Sequence, residues 1–340
     1  MNTMLQQELQ QIARGVVKFD ESMREHTTIK IGGPADVWFE PVDAEDLANV
    51  TMWADKNQIP RMVFGNGSNT LVRDGGIRGI VISLAKFDWI RPVEVIASPP
   101  QADEAISIEN LNSGDRHVGR RLPSSEAKGP PRDDKRLVHV GAGVPLQKLI
   151  GWSVENARSG LEVLTGIPGT LGGAIVMNAG TKDGSIGDVI EEIKILGRSR
   201  FSKIAKTGLA FSYRKLKLPR NAIIIEAELA LKDGVSAAIE EKIEGIRHKR
   251  KEMQPLIWPS MGSVFKNPPH ARKAWQLIDE CDLRNVRVGG ARISAEHANW
   301  IINENNATAK DVEVLINMIK EQVKEKFNLS LEAEIIIVGE

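Results

Sequence analysis

The chain opens its legible pattern with a strand, Ala35-Asp36-Val37-Trp38-Phe39-Glu40, stopped by Pro41. Asp43 then caps a helix through Trp53-Ala54-Asp55, with Ala44, Leu47 and Val50 or Thr51 at helical spacing. Apolar runs at Arg61-Met62-Val63-Phe64 and Ile80-Val81-Ile82-Ser83-Leu84 predict short buried strands bounded by glycine turns. Leu137 to Gly143 reads as a strand entering a tight turn, and Pro145 as the first residue of a helix through Ser153. Asp188 to Leu196 and Ala222 to Leu231 read as further strands. From Ser236 the pattern becomes helical: Ile239, Ile243 and Ile246 recur up to Lys251, and helices follow at Ala271–Cys281 and Ala309–Phe327. A last strand, Ala333 to Gly339, closes the chain.

One stretch breaks this order. Residues 95–136 hold Ser98-Pro99-Pro100, Asn112-Ser113-Gly114-Asp115 and Gly129-Pro130-Pro131, with scattered charge and weak periodicity. A structureless run of that length is unusual inside a compact domain, which predicts a mobile surface insertion with no chemistry of its own. The resulting division is an N-terminal segment over 1–30, a main unit over 31–233 carrying the insertion, and a C-terminal unit over 234–340.

Composition narrows the function. Lys plus Arg and Asp plus Glu both number 45, so no global basic field draws the chain to nucleic acid or an anionic membrane. An anionic ligand must be held by local geometry. The single cysteine, Cys281, excludes an internal disulfide and a cysteine-built zinc site, and the six histidines show no metal-ligand spacing. Cys281 reads as a core residue, and His26, His139 and His297 as structural or ligand-adjacent. The first residues lack the basic-then-apolar layout of a signal peptide, and the apolar stretch Ala222–Leu231 is too short to span a bilayer. A reduced, cytoplasmic protein without membrane insertion is the expectation.

Candidate chemistry begins with glycine. Gly65-Asn66-Gly67-Ser68-Asn69 follows directly on the run ending at Phe64. Glycine permits positive φ and close backbone approach, and successive N–H groups in such a turn form a concave anion nest to which Ser68 and Asn69 add donors. No Gly-Lys-Ser/Thr element follows, and no GxGxxG joins a strand to a helix, which argues against a P-loop or a Rossmann site. Alone, the loop reads equally as a hairpin turn. A second cluster, Gly166-Ile167-Pro168-Gly169-Thr170-Leu171-Gly172-Gly173-Ala174, carries more glycine than a turn requires. Two such loops can close on a diphosphate from two sides, as a dinucleotide such as FAD would need.

These residues, taken in order with others, resemble a family. The pieces are His26-Thr27-Thr28-Ile29-Lys30-Ile31-Gly32-Gly33, the Gly65–Asn69 loop, Val140-Gly141-Ala142-Gly143 and the Gly166–Gly173 stretch. Phe211-Ser212-Tyr213-Arg214 and Gly262-Ser263-Val264-Phe265-Lys266-Asn267-Pro268 follow. Val288-Gly289-Gly290-Ala291, His297-Ala298-Asn299 and Leu331-Glu332-Ala333-Glu334 complete the set. Together they are similar to the UDP-N-acetylenolpyruvoylglucosamine reductase (MurB) family of peptidoglycan synthesis, across nearly the whole chain outside 95–136. The resemblance implies an α+β protein: a two-part FAD-binding domain of the vanillyl-alcohol oxidase/p-cresol methylhydroxylase type, then a C-terminal α/β substrate domain.

It also implies a reaction: NADPH reduces a non-covalent FAD, which passes hydride to the enolpyruvyl group of UDP-N-acetylglucosamine enolpyruvate, giving UDP-N-acetylmuramate. By motif, Arg214 is the active-site arginine, Ser263 the proton donor and Glu334 the active-site carboxylate. Gly65, Asn66, Gly67, Ser68, Asn69, Gly143, Gly166, Ile167, Pro168, Gly169, Gly172 and Gly173 fall at cofactor positions. Lys251, twelve residues before Ser263, and Asn267 match the substrate-diphosphate contacts. A monomer is the expected state. The residue types suit the chemistry. Arginine spreads fixed charge over a carboxylate, and a serine hydroxyl held within reach can protonate a strongly basic carbanion.

Two departures stand out. The one tyrosine, Tyr213, sits beside Arg214, so the chain resembles the subclass without a tyrosine gate over the substrate; and the turn Asn178–Gly184 lacks an aromatic found in many relatives. The rival readings are another FAD-dependent oxidoreductase on the same fold, or a non-catalytic nucleotide-binding module.

Overall fold

A computed structural model describes residues 2–93, 135–198 and 200–340. Three larger sheets carry the molecule. The first orders Val16–Ser22, Pro34–Glu40, Ile77–Ser83 and Arg61–Phe64, with the last three strands parallel. The crossover from Pro34–Glu40 runs through helix Ala44–Lys56, whose N-cap Asp43 accepts from the Asp46 amide as the sequence suggests. The helix Thr3–Ile12 and the strand Val16–Ser22 have no counterpart in the sequence reading, which treats residues 1–30 as a bare segment.

The second sheet is antiparallel and orders Phe201–Ala205, Ile190–Leu196, Ile223–Asp233, Lys135–Gly141 and Ile90–Pro92, with Arg158–Ser159 also on Ile223–Asp233. The expected surface insertion, 95–136, lies outside the described residues apart from Lys135 and Arg136, which begin a strand. Helix Leu146–Glu155 starts one residue later than expected. Pro145 stands as its N-cap in extended backbone rather than as its first turn. One continuous core joins these two sheets, from Leu9 and Val37 through Val140 and Leu171 to Leu229 and Leu231.

The sequence assigns helix Ser236–Met253 to the C-terminal unit. Its Ile239 and Ile243 are buried in the larger core instead. Burying two isoleucines contributes about 1.5–3 kcal/mol each, enough to bind the helix to the preceding sheets. The third sheet orders Ser260–Ser263, Trp300–Asn303, Ala291–Ile293 and Arg287–Val288, and packs with helices Ala274–Asp279 and Ala309–Phe327 around its own core. A capping box from Thr308 and Asp311 starts the last helix. Asp74, from the first unit, also accepts from the Ala309 and Lys310 amides at 2.8 and 3.1 Å.

The closing strand is shorter than the sequence suggests, Ile336–Val338 rather than Ala333–Gly339, because the chain changes partners. The Glu334 amide donates to the Val264 carbonyl at 2.8 Å, on the third sheet. Two residues on, the Ile336 amide donates to the Asn69 carbonyl at 2.9 Å, and Ile336–Val338 runs parallel to Thr70–Val72. Glu334 therefore sits where the chain crosses between the C-terminal sheet and the first glycine loop.

Candidate active site

A cavity of about 1280 Å³ opens where the three sheets meet. That exceeds the roughly 300–1,000 Å³ of ordinary small-molecule sites, so there is room for a dinucleotide and a second ligand. Both glycine-rich loops line it, together with Gly143.

The loops face each other directly. Ser68 Oγ donates to the Pro168 carbonyl at 2.8 Å, joining one to the other. Gly67 adopts φ +57°, and a Cβ there would stand 2.4 Å from the His26 carbonyl oxygen. At Gly143 a Cβ would meet the Leu84 carbonyl at 1.8 Å, so glycine alone lets this turn pass. Among the described residues, the backbone N–H groups of Asn66, Gly67, Ser68 and Gly169 have no hydrogen-bond acceptor. Backbone amides left without partners around a turn are an anion nest. The donor set fits the diphosphate of FAD: it supplies neutral amides beside a cavity large enough for a dinucleotide.

Arg214, Glu334 and Ser263, which come from three separate parts of the chain, all line the cavity. Arg214 occupies the turn of a hairpin between Ala210–Ser212 and Lys215–Lys217, at φ +57°. Its guanidinium donates through Nη1 to the Gly180 carbonyl at 2.9 Å, and its Nε lies 2.8 Å from Glu334 Oε1. The Nε hydrogen has no well-aligned acceptor, so the approach is an ion pair more than a directed hydrogen bond. Burial pushes the Glu334 carboxyl above its usual range, and attraction to Arg214 and Lys266 offsets only part of that. Burial thus raises the proton affinity of Glu334 beside a fixed positive charge.

Ser263 ends the strand Ser260–Ser263, pairing with Trp300 across a register irregularity that includes Gly262 at φ +76°. Such a bulge re-aims a side chain. Ser263 lines the cavity, and its hydroxyl has no hydrogen-bond partner among the described residues, leaving it free for a ligand.

The two expected diphosphate contacts are placed elsewhere. Lys251 is exposed and does not line the cavity. Asn267 is exposed as well, and its Oδ1 accepts from the Ala274 amide at 3.1 Å, ahead of helix Ala274–Asp279. The residue that sequence reasoning misses is Arg250, which lines the cavity and donates through Nη1 to the Gly166 carbonyl at 3.0 Å. A signal exists to find it. Arg250 continues the inward stripe of Ile239, Ile243 and Ile246 at the next helical step, whereas Lys251 falls off that stripe. Trp300, beside Ser263, also lines the cavity, and nothing in its local sequence marks it. Among the described residues no group of three or more His, Cys, Asp or Glu could hold a metal ion, and no helix is long and apolar enough to cross a membrane.

Two family models match parts of the chain. Residues 254–338 match the family described as UDP-N-acetylenolpyruvoylglucosamine reductase, C-terminal domain, and residues 35–107 and 131–198 match an FAD binding domain. The UDP-N-acetylenolpyruvoylglucosamine reductase of Desulforamulus reducens is 38% identical over 342 residues, covering 99% of both chains. That of Geobacter sulfurreducens is 37% identical over 340 residues, covering 100% of both. The crystal structure of UDP-N-acetylenolpyruvylglucosamine reductase (MurB) from Thermus caldophilus superposes with a TM-score of 0.71 at 30% identity, covering 96% of this chain and 99% of that one.

Proposed function

This chain belongs to the UDP-N-acetylenolpyruvoylglucosamine reductase family, and we propose that it reduces UDP-N-acetylglucosamine enolpyruvate to UDP-N-acetylmuramate with NADPH, in the cytoplasm. The observation that carries this reading is that Arg214, Glu334 and Ser263 line the same cavity as the two glycine loops. When bound, FAD supplies the hydride for the enolpyruvyl double bond.

The residues of the chain do the rest. The amides of Asn66, Gly67, Ser68 and Gly169 hold the cofactor's diphosphate, and Ser68 locks the two loops around it. Arg214 faces the substrate carboxylate and stabilises the negative charge that grows there, the kind of interaction that lowers a barrier most. Its Nη1 bond to Gly180 and its pairing with Glu334 fix the guanidinium in advance, so little reorganisation is needed. Ser263 Oγ–H delivers the proton to the α-carbon. Glu334, paired with Arg214, helps to orient or polarise the transient enol.

The test is product formation. FAD-loaded protein given NADPH and the enolpyruvyl sugar nucleotide should yield NADP⁺ and UDP-N-acetylmuramate in equal amounts. A protein that binds flavin yet leaves the sugar nucleotide unchanged belongs with some other chemistry on this fold.

A further inference from the structure

Asn69 closes the first glycine loop, but its side chain is engaged outside that loop. Its Nδ2 donates to the Glu334 carbonyl at 3.0 Å, across 265 positions of sequence. A carbonyl can only accept, so the donor end of the Asn69 amide must face it. Nδ2 also lies 3.9 Å from Met177 Sδ, a weak acceptor. Both amide hydrogens are thereby directed at partners, and the oxygen that is left cannot donate to a phosphate. Holding a diphosphate in this loop therefore falls to the backbone amides.

The main chain of Asn69 makes a second tie to the same segment. The Ile336 amide donates to the Asn69 carbonyl at 2.9 Å, so one residue grips the chain on both sides of Ile335. Glu334 is held from the opposite direction as well. Its amide donates to the Val264 carbonyl at 2.8 Å, next to Ser263, and Phe265 bridges to Ala333. The backbone of Glu334 thus hangs between the segment that carries Ser263 and the loop that carries the amide nest. With both its amide and its carbonyl fixed, the residue has only side-chain torsions left with which to meet Arg214 Nε at 2.8 Å. Small misplacements of a reacting group cost orders of magnitude in rate.

We propose that Asn69 is a positioning residue for the reduction: its side-chain amide sets the place of the Glu334 carboxylate relative to Ser263, and so couples the cofactor loop to a group that acts on the substrate. This role rests on the reductase reading. It moves the Asn69 side chain from the cofactor, where its motif puts it, to the carboxylate segment. A shift of the loop is then also a shift of Glu334, because Asn69 belongs to the one and holds the other.

Anaerobic half-reactions of the FAD-loaded protein test this. Asn69→Ala should keep its flavin, and NADPH should bleach that flavin at the unaltered rate. Reoxidation by the enolpyruvyl sugar nucleotide should slow about ten- to a hundredfold. Asn69→Ser, whose hydroxyl is one bond too short to reach the carbonyl, should behave alike and serves if the alanine variant fails to fold. A residue that merely stiffens the fold would slow Glu334→Gln by the same factor. Acting through the carboxylate, Asn69→Ala added to Glu334→Gln should slow reoxidation by no more than about threefold further. Loss of flavin from Asn69→Ala would return the side chain to the cofactor and overturn the proposal. Normal reoxidation would overturn it too, as would effects that multiply in the double variant. If the sugar nucleotide fails to reoxidise even the unaltered protein, the reductase reading falls. Amide hydrogen exchange then still reads the tie itself: Glu334 and Ile336 should exchange faster in flavin-loaded Asn69→Ala, and unchanged exchange would sink the positioning role as well.

Discussion

Arg214 Nε stands 2.8 Å from Glu334 Oε1, and the pair joins a hairpin turn in the chain's second third to a carboxylate close to its end. Because each group is largely withdrawn from water, with side-chain exposures of 24% and 14%, neither can be removed without leaving the other unbalanced. Arg214→Lys keeps the charge but loses the planar fork that can hold Gly180, Glu334 and a substrate carboxylate at once. Turnover should fall by about a hundred- to a thousandfold with flavin content intact. Activity within a few-fold of the original would show that a point charge is enough and that the fork geometry is irrelevant.

The glycine loop makes a separate prediction. Gly67→Ala forces a side chain into a left-handed turn with the His26 carbonyl 2.4 Å away. The loop must shift, and the amides of Asn66 and Ser68 shift with it. The purified variant should carry much less flavin per chain than the original, read from its visible absorbance. A variant with full flavin content would place the diphosphate elsewhere.

Acid stability should bear the mark of His297. Its ring packs near Trp275 and Trp300, and burial, aided by the charge of Arg284, depresses its pKa from 6.5 to about 4. The unfolded chain takes up a proton below pH 6.5 that the folded protein refuses. The stability due to neutral His297 is therefore complete above pH 6.5 and is lost as the pH falls through about 4, by at most roughly 3 kcal/mol. His297→Phe should flatten the decline of Tm over that window. Parallel Tm profiles for the two proteins would mean that His297 titrates alike in both states.

Much of this arrangement is legible in residue order, and the exceptions have physical causes. The first glycine loop and the turn at Gly143 announce themselves because Gly67 and Gly143 stand where no side chain fits. The helices Ala44–Lys56 and Ala309–Phe327 carry their caps in the sequence, at Asp43 and Thr308. Glu334 is marked by its motif, but its place in the fold is not, because the switch from pairing with Val264 to pairing beside Asn69 is a long-range event. The strands Ser260–Ser263 and Ala291–Ile293 are too short for their periodicity to show. Arg250 is hidden among Arg247, His248, Lys249 and Lys251, a charge run that reads as a solvated face until the isoleucine stripe behind it is followed one step further.

Flavin reduction and substrate protonation belong to different groups in this mechanism, and Ser263→Ala separates them. Under anaerobic conditions NADPH should bleach the bound flavin of this variant as fast as that of the unaltered protein. Adding UDP-N-acetylglucosamine enolpyruvate should then restore the colour of the unaltered protein promptly, and leave that of Ser263→Ala bleached or recovering far more slowly. Equal recovery in both proteins would contradict the role given to Ser263, and no recovery in either would contradict the function itself.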